Sequence, residues 1–134
     1  ESSYFIKQFG SLSSIKAYLN FDMIGRNHQE TVPEQHAFIY TASHPLFKEW
    51  LNEFISTYQL QLKPDYQPLE KPVTGSDNAS FARHDIPILW YHTDGHSDYH
   101  MPTDHIEKIN WSKLVDITKA AYLHLWNLAE EADY

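Results

Sequence analysis

Short apolar segments alternate along this chain with longer amphipathic ones, and this alternation limits the possible folds more than any other feature. The short segments are rich in β-branched and aromatic residues, which is typical of strands; they span residues 15–23, 37–41 and 86–91. Two longer segments have helical spacing, one opened by Pro45 and one over residues 111–129 with Asn110 as its N-cap. The pattern indicates an α/β fold whose mostly parallel sheet is covered by helices.

The spacing of apolar residues also predicts which helix faces pack on the sheet. In the first helix these residues are Phe47, Trp50, Leu51, Phe54, Ile55 and Tyr58. In the last helix they are Leu114, Val115, Thr118, Ala121, Tyr122, Leu125, Leu128 and Ala129. Residues 60–63 are expected to form a short strand, and the segment with Pro64, Pro68 and Pro72 a loop. No repeat or linker divides the chain, so residues 1–134 are expected to form a single domain.

Charge and composition exclude several classes of partner. Ten basic and 18 acidic residues give a net charge of −8, the wrong sign for binding phosphates, so nucleic acid is not an expected partner. No apolar run approaches the roughly 20 residues that span a bilayer, so no membrane partner is expected either. The absence of Cys excludes disulfide scaffolds, thiolate zinc sites and cysteine nucleophiles, and it is compatible with cytoplasm and periplasm alike.

Histidine is concentrated in one part of the chain, at His84, His92, His96, His100 and His105. The four-residue spacing from 92 to 100 would place three imidazoles on one helix face, but Gly95 and Pro102 break such a helix. His92 and His96 are therefore interpreted as exposed loop histidines. Ligands of α/β proteins bind beyond the carboxyl ends of strands, so Asp22 and residues 75–80 and 92–104 are expected to share one rim.

Three motifs, in order along the chain, resemble those of one enzyme family. They are residues 20–26 (NFDMIGR), residues 75–81 (GSDNASF) with 85–87 (DIP), and residues 98–104 (DYHMPTD) with 107–110 (EKIN). They resemble the N-x-D-M-x-G, S-D-H-x-x-F with G-I-P, and D-Y-H-x-P-x-D motifs of the co-catalytic two-zinc aminopeptidases. This superfamily includes bacterial leucyl aminopeptidases, glutamate carboxypeptidases and glutaminyl cyclases. Asn78 stands where the family more often has His, and Phe21 where it more often has Leu.

The resemblance implies a partial zinc-peptidase (phosphorylase/hydrolase-like) fold and a site for two zinc ions that acts on peptide substrates. It makes Asp22 a ligand of one zinc ion, His100 a ligand of the other, and Tyr99 a catalytic hydrogen-bond donor to the oxyanion. Each residue also has a structural alternative. Asp22 could be a turn residue, His100 a loop imidazole that contacts Asp104, and Tyr99 a packed aromatic.

The family's complete site also needs an H-x-D pair and a Glu-Glu pair, and this chain has neither. Residues 1–5 (ESSYF) resemble the G-S-x-Y-F segment that follows the Glu-Glu pair in the family. The chain is therefore interpreted as the C-terminal portion of a zinc aminopeptidase catalytic domain, inactive alone, whose expected partner is the missing N-terminal half. Self-association is also expected, near residues 15–23 or 86–91. A glutaminyl cyclase-like acyltransferase and a non-catalytic binding domain derived from the peptidase fold stay open as alternatives.

Overall fold

The computed structural model describes residues 2–70 and 76–131. The strands are β1 (Tyr18–Phe21), β2 (Gln35–Thr41), β3 (Lys63–Leu69) and β4 (Ile88–His92). The helices are α1 (Ser2–Gln8), α2 (Leu46–Tyr58), α3 (Asn78–Ala82) and α4 (Trp111–Glu130), with short 3-10 turns at Leu12–Ser14 and Ile106–Lys108. Within these ranges, no helix is both long and apolar enough to cross a membrane.

The four strands form one sheet in the order β1-β4-β2-β3. β1 runs parallel to β4, β2 runs parallel to β3, and the central pair β2 and β4 is antiparallel. The expected α/β fold with a mostly parallel sheet covered by helices is confirmed. β4 is an interior strand, so residues 86–91, expected near a self-associating face, are not an edge of the sheet; β1 is one of its edges.

Alternation of side chains along the strands divides the core between two faces of the sheet. Leu89 and Tyr91 belong to the larger cluster with α2 and α4, whereas Ile88 and Trp90 belong to a smaller cluster with α1 and α3. The larger cluster contains fully buried residues from all of its elements: Phe38, Phe47, Leu51, Leu89, Tyr91, Ile117 and Ala120. The helices thus cover both faces, as an α/β sheet requires.

The third strand lies where the sequence predicts a loop. Residues 60–63 were expected to form a strand, but Leu60 and Leu62 are buried core residues that precede β3. β3 itself contains Pro64 and Pro68, and it pairs within the described sheet only with β2. Proline is tolerated on an edge strand because one side of such a strand needs no ladder partner. Pro72 lies outside the described residues.

The predicted inward face of α4 is correct at Ala121 and Leu128 and wrong at five other positions. Val115, Tyr122 and Leu125 are exposed, as are Thr118 and Ala129. Besides Ala121 and Leu128, the buried residues are Lys113, Asp116, Ile117, Ala120 and His124. In α2 the predicted face is correct from Phe47 to Phe54, while Tyr58 is exposed.

Three polar residues explain the orientation of α4, since each has a partner inside the molecule. Lys113 Nζ donates to the carbonyl oxygens of Arg26 (2.8 Å) and Gln35 (3.3 Å). Asp116 Oδ2 accepts from the Gln61 amide (2.9 Å). The His124 ring is hydrogen-bonded to the Tyr91 hydroxyl (2.7 Å) and the Phe47 carbonyl oxygen (2.8 Å). Buried polar groups with partners carry little penalty, so the helix can turn them inward.

Candidate functional site

A cleft of about 310 Å³ lies where β1 and β4 end together. The register of these strands places Phe21 beside Tyr91, so the residues that follow both strands emerge on the same edge of the sheet. The cleft is lined by Asp22, Met23, Ser76, Trp90, His92, Gly95 and Tyr99. The three segments expected to share one rim therefore meet there. Gly75, the first residue of the second motif, lies outside the described residues.

Asp22 is exposed in the cleft, and hydrogen bonds from neighbouring elements hold it in place. Ser76 Oγ donates to Asp22 Oδ2, and Asn20 Nδ2 donates to Ser76 Oγ (3.0 Å). The backbone of Asp22 is fixed by Trp90, whose Nε1 donates to its carbonyl oxygen (2.9 Å). A carboxylate held in this way faces the cleft with a defined orientation.

His92 and His96 are not exposed loop histidines, so that interpretation is wrong. His92 is the last residue of β4, and its side chain lines the cleft; its Nδ1 accepts from the Met23 amide (3.2 Å), and its Nε2 lies 3.3 Å from Asp94 Oδ1. Only 4% of the His96 side chain is exposed. It is buried because the loop folds over it, with Tyr99 against its ring and Asp104 Oδ2 3.9 Å from its Nε2.

Tyr99 and His100 are neighbours on one turn, and of the two only Tyr99 is among the residues that line the cleft. Tyr99 lines the cleft with 51% of its surface exposed, so it is not a packed core aromatic. His100 is exposed, its ring centroid is 4.0 Å from that of Tyr99, and its φ of 57° is left-handed. In the described part of the chain, Asp104 pairs with Arg26 and His96 and not with His100. The ligand roles of Asp22 and His100 and the catalytic role of Tyr99 stay predictions.

A network of charged residues lies beneath this turn, and the motifs alone do not reveal it. Arg26 pairs with Asp98 (2.6 Å) and Asp104, and Asp98 also accepts from Lys108 Nζ (2.8 Å) and Thr103 Oγ1 (2.6 Å). The hydrogen bonds from Arg26, then from Lys108 and Thr103, hold the pKa of Asp98 well below its usual range. One sequence feature does point to the network, because all of its residues belong to the first and third motifs.

The side chains of the cleft include donor atoms of the types that zinc binds, but they supply only part of a zinc ligand set. Carboxylate oxygen and imidazole nitrogen are both ordinary zinc donors, and catalytic zinc usually takes three protein ligands. Within residues 2–70 and 76–131, no three His, Asp or Glu side chains are grouped so that they could hold a metal ion. The resemblance assigns zinc to Asp22, which lines the cleft, and to His100, which follows the cleft-lining Tyr99.

The sequence matches the model of peptidase family M28 over residues 1–124. The chain belongs to peptidase family M28. This M28 chain is also similar in fold to two crystal structures of LapA from Legionella pneumophila, one of them described as an aminopeptidase. The TM-scores are 0.74 and 0.76, at 24% and 21% sequence identity over 97% and 98% of this chain. The M28 chain spans 36% of the length of each of these structures. None of the curated proteins matches it.

Proposed function

We propose that this M28 chain is the C-terminal portion of the catalytic domain of a zinc-dependent aminopeptidase, which hydrolyses N-terminal peptide bonds. One observation carries the proposal. Asp22 and Tyr99, which belong to the first and last of the three motifs, line a single cleft at the carboxyl edge of the sheet. One of the similar structures is described as an aminopeptidase, and this description agrees with the proposed activity.

The proposed mechanism assigns one role to each residue. Asp22 would bind one zinc ion and His100 the other, and Ser76 and Trp90 would fix the carboxylate of Asp22 through the hydrogen bonds described above. Zinc, when bound, supplies a Lewis acid that polarises the peptide carbonyl group. Tyr99 would donate its hydroxyl hydrogen to the carbonyl oxygen as negative charge develops there. Its exposed position on the cleft leaves the hydroxyl accessible to a peptide.

The remaining zinc ligands and the general base are proposed to come from an N-terminal half of the same domain. Two observations support this: the chain spans 36% of the similar structures, and its described residues offer no group of three metal-binding side chains. By itself the chain should bind zinc weakly and cleave no peptide, because a metal site without its bridging carboxylate and base is incomplete.

The test compares the chain alone with the chain joined to the N-terminal half of an M28 catalytic domain that restores activity. Hydrolysis of a leucine anilide and zinc affinity are measured for both proteins. In the joined protein, His100→Ala and Asp22→Ala should abolish most activity while circular dichroism shows an intact fold. His84→Ala, at an exposed histidine outside the cleft, is the matched control and should keep full activity.

Four outcomes would contradict the proposal. Full activity of the joined His100→Ala variant would remove His100 from the site. Cyclisation of N-terminal glutamine without peptide hydrolysis would favour the glutaminyl cyclase alternative, and peptide binding without any zinc-dependent reaction would favour the binding domain. Sub-micromolar zinc binding by a monomer of this chain that cleaves the anilide would show a complete enzyme.

A further inference from the structure

The Arg26 side chain joins the turn that carries Tyr99 and His100 to the loop that carries Asp22. Arg26 Nη2 donates to Asp98 Oδ2 (2.6 Å), and Nη1 donates to Asp104 Oδ1. The two aspartates lie on either side of the turn, and only 11% of the Arg26 side chain is exposed. A guanidinium group can do this because its planar fork presents separate donors to two carboxylates.

Arg26 is itself fixed to the first turn of α4. Lys113 Nζ donates to the Arg26 carbonyl oxygen (2.8 Å), and the Asn110 amide donates to the Gly25 carbonyl oxygen (2.8 Å). The Asn110 side chain also donates to Asn27 Oδ1 (2.8 Å), while its own oxygen caps the helix at the Lys113 amide (3.1 Å). The residues on both sides of Arg26 are thus tied to the N-terminus of a 20-residue helix.

Burial does not hold the turn in place, since Tyr99, His100 and Met101 are all exposed. Its backbone is held by short-range bonds, from the Tyr99 amide to the His96 carbonyl (3.0 Å) and from the Met101 amide to the Asp98 carbonyl (2.8 Å). The left-handed φ of His100 costs energy for a residue with a Cβ, and such a conformation persists only where surrounding contacts impose it. The charged contacts at Asp98 and Asp104 join this turn to other elements, and just before the turn His28 Nδ1 also lies 2.7 Å from the Gly95 carbonyl oxygen.

We propose that Arg26 is a positioning residue, which sets the place of the Tyr99–His100 turn relative to Asp22 across the cleft. The inference rests on the proposed function, because positioning matters only if Asp22 and His100 serve one metal centre. It assigns to Arg26 no contact with substrate or metal. The Arg26 guanidinium acts through the two aspartates that it holds.

Four variants of this chain test the proposal: Arg26→Met, Arg26→Lys, Asp104→Asn and Lys108→Met. Arg26→Met removes both contacts and keeps most of the alkyl stem, Arg26→Lys leaves a single donor group, and Asp104→Asn weakens one contact at an exposed site. Lys108→Met is the matched control, because Lys108 also pairs with Asp98 but does not join the turn to the Asp22 loop. Amide hydrogen exchange is measured without metal, and global unfolding by urea is measured in parallel.

We expect Arg26→Met to speed exchange over residues 98–104 by about tenfold or more, while exchange in β4 follows global stability alone. Asp104→Asn and Arg26→Lys should give intermediate rates, and Lys108→Met should stay within about twofold of the wild type. Equal rates in Arg26→Met and Lys108→Met would overturn the proposal. If Arg26→Met does not fold, the same comparison is decided by Asp104→Asn.

A second measurement separates this inference from the proposed function. Zn²⁺ alone is titrated into the wild type and the variants, each joined to the N-terminal half described under the proposed function, and the His100 ring signals are followed by NMR. Arg26→Met should weaken the apparent zinc affinity by about tenfold, an effect that a purely structural role would not produce at matched global stability. Zinc binding to His100 with equal affinity in both proteins would overturn the positioning role. No zinc response in the wild type, together with faster exchange in Arg26→Met, would count against the zinc site and leave the joining role of Arg26 supported.

Discussion

The two sides of the cleft are held by different physical means. On the Asp22 side, the support comes from uncharged donors: hydrogen bonds from Ser76 and Trp90 act on a residue that directly follows a paired strand. On the Tyr99 side, the support is ionic and acts on a turn outside the sheet. The Asp22 side therefore depends on the stability of the sheet, whereas the Tyr99 side can loosen while the sheet stays folded.

Acid should weaken the sheet before it weakens the ionic contacts. Burial lowers the pKa of His36 and of His124 to about 4, from an ordinary value near 6.5. Between these two values the unfolded chain binds more protons than the folded chain, so stability falls as the pH drops from about 6.5 to 4 and is fully present at pH 7. The loss should be about 3 kcal/mol for each histidine. Urea unfolding at pH 7, 5.5 and 4 measures it.

A matched pair of variants checks this assignment. His36→Phe should flatten part of the pH dependence, whereas His84→Phe, at an exposed position, should leave it unchanged. The contacts of Asp98 should persist to lower pH than the stability contributed by the two histidines. The reason is that the hydrogen bond from Arg26 holds the pKa of Asp98 well below its usual range, so Asp98 stays ionised. A larger loss of protection in residues 98–104 than in β4 on acidification from pH 7 to pH 5 would contradict the comparison.

Truncation of the core beneath the cleft should loosen both sides together. Leu89 is fully buried in β4, where it directly precedes Trp90 and Tyr91. Leu89→Ala should lower the free energy of unfolding by about 2 to 5 kcal/mol. Val115→Ala, on the exposed face of α4, should change it by less than about 0.5 kcal/mol. Equal effects of the two substitutions in urea unfolding would show that the face of α4 is wrongly assigned.

Removal of the Ser76 hydroxyl should have a smaller effect, confined to the Asp22 side of the cleft. Ser76→Ala deletes the donor to Asp22 and the acceptor for Asn20, and should lower the free energy of unfolding by about 1 kcal/mol. Exchange at residues 98–104 should not change, because no bond of Ser76 reaches the turn. Faster exchange there would show that the two sides of the cleft are coupled.

Self-association should depend on the β1 edge, with the smallest effect on stability. Phe21 is 45% exposed at the end of this edge strand, and Trp126 is 56% exposed on α4. Phe21→Lys should reduce self-association in light scattering and change the free energy of unfolding by less than about 0.5 kcal/mol. Trp126→Lys, on the exposed apolar side of α4, serves as the control. A reduction by Trp126→Lys alone would move the contact from the β1 edge to α4.

Local features of the chain could be predicted from sequence, and features set by distant partners could not. Asn110 caps α4 as predicted, because the cap depends on a residue three positions away. Much of the predicted inward face of α4 was wrong, because the groups that pair with Lys113 and Asp116 lie more than 50 residues earlier in the chain. The meeting of Asp22 and Tyr99 followed from motif order and strand direction, whereas the burial of His96 depends on how one loop folds over another.

The left-handed backbone at His100 limits how this position can change over evolutionary time. Apart from glycine, the residues that accept such a φ most readily are asparagine, aspartate and histidine. A descendant that lost the imidazole could keep the shape of the turn only through this small set, and aspartate would add a negative charge to a chain that already carries −8. His100→Gly or His100→Asn is therefore a more informative variant than His100→Ala, because each removes the imidazole without adding backbone strain.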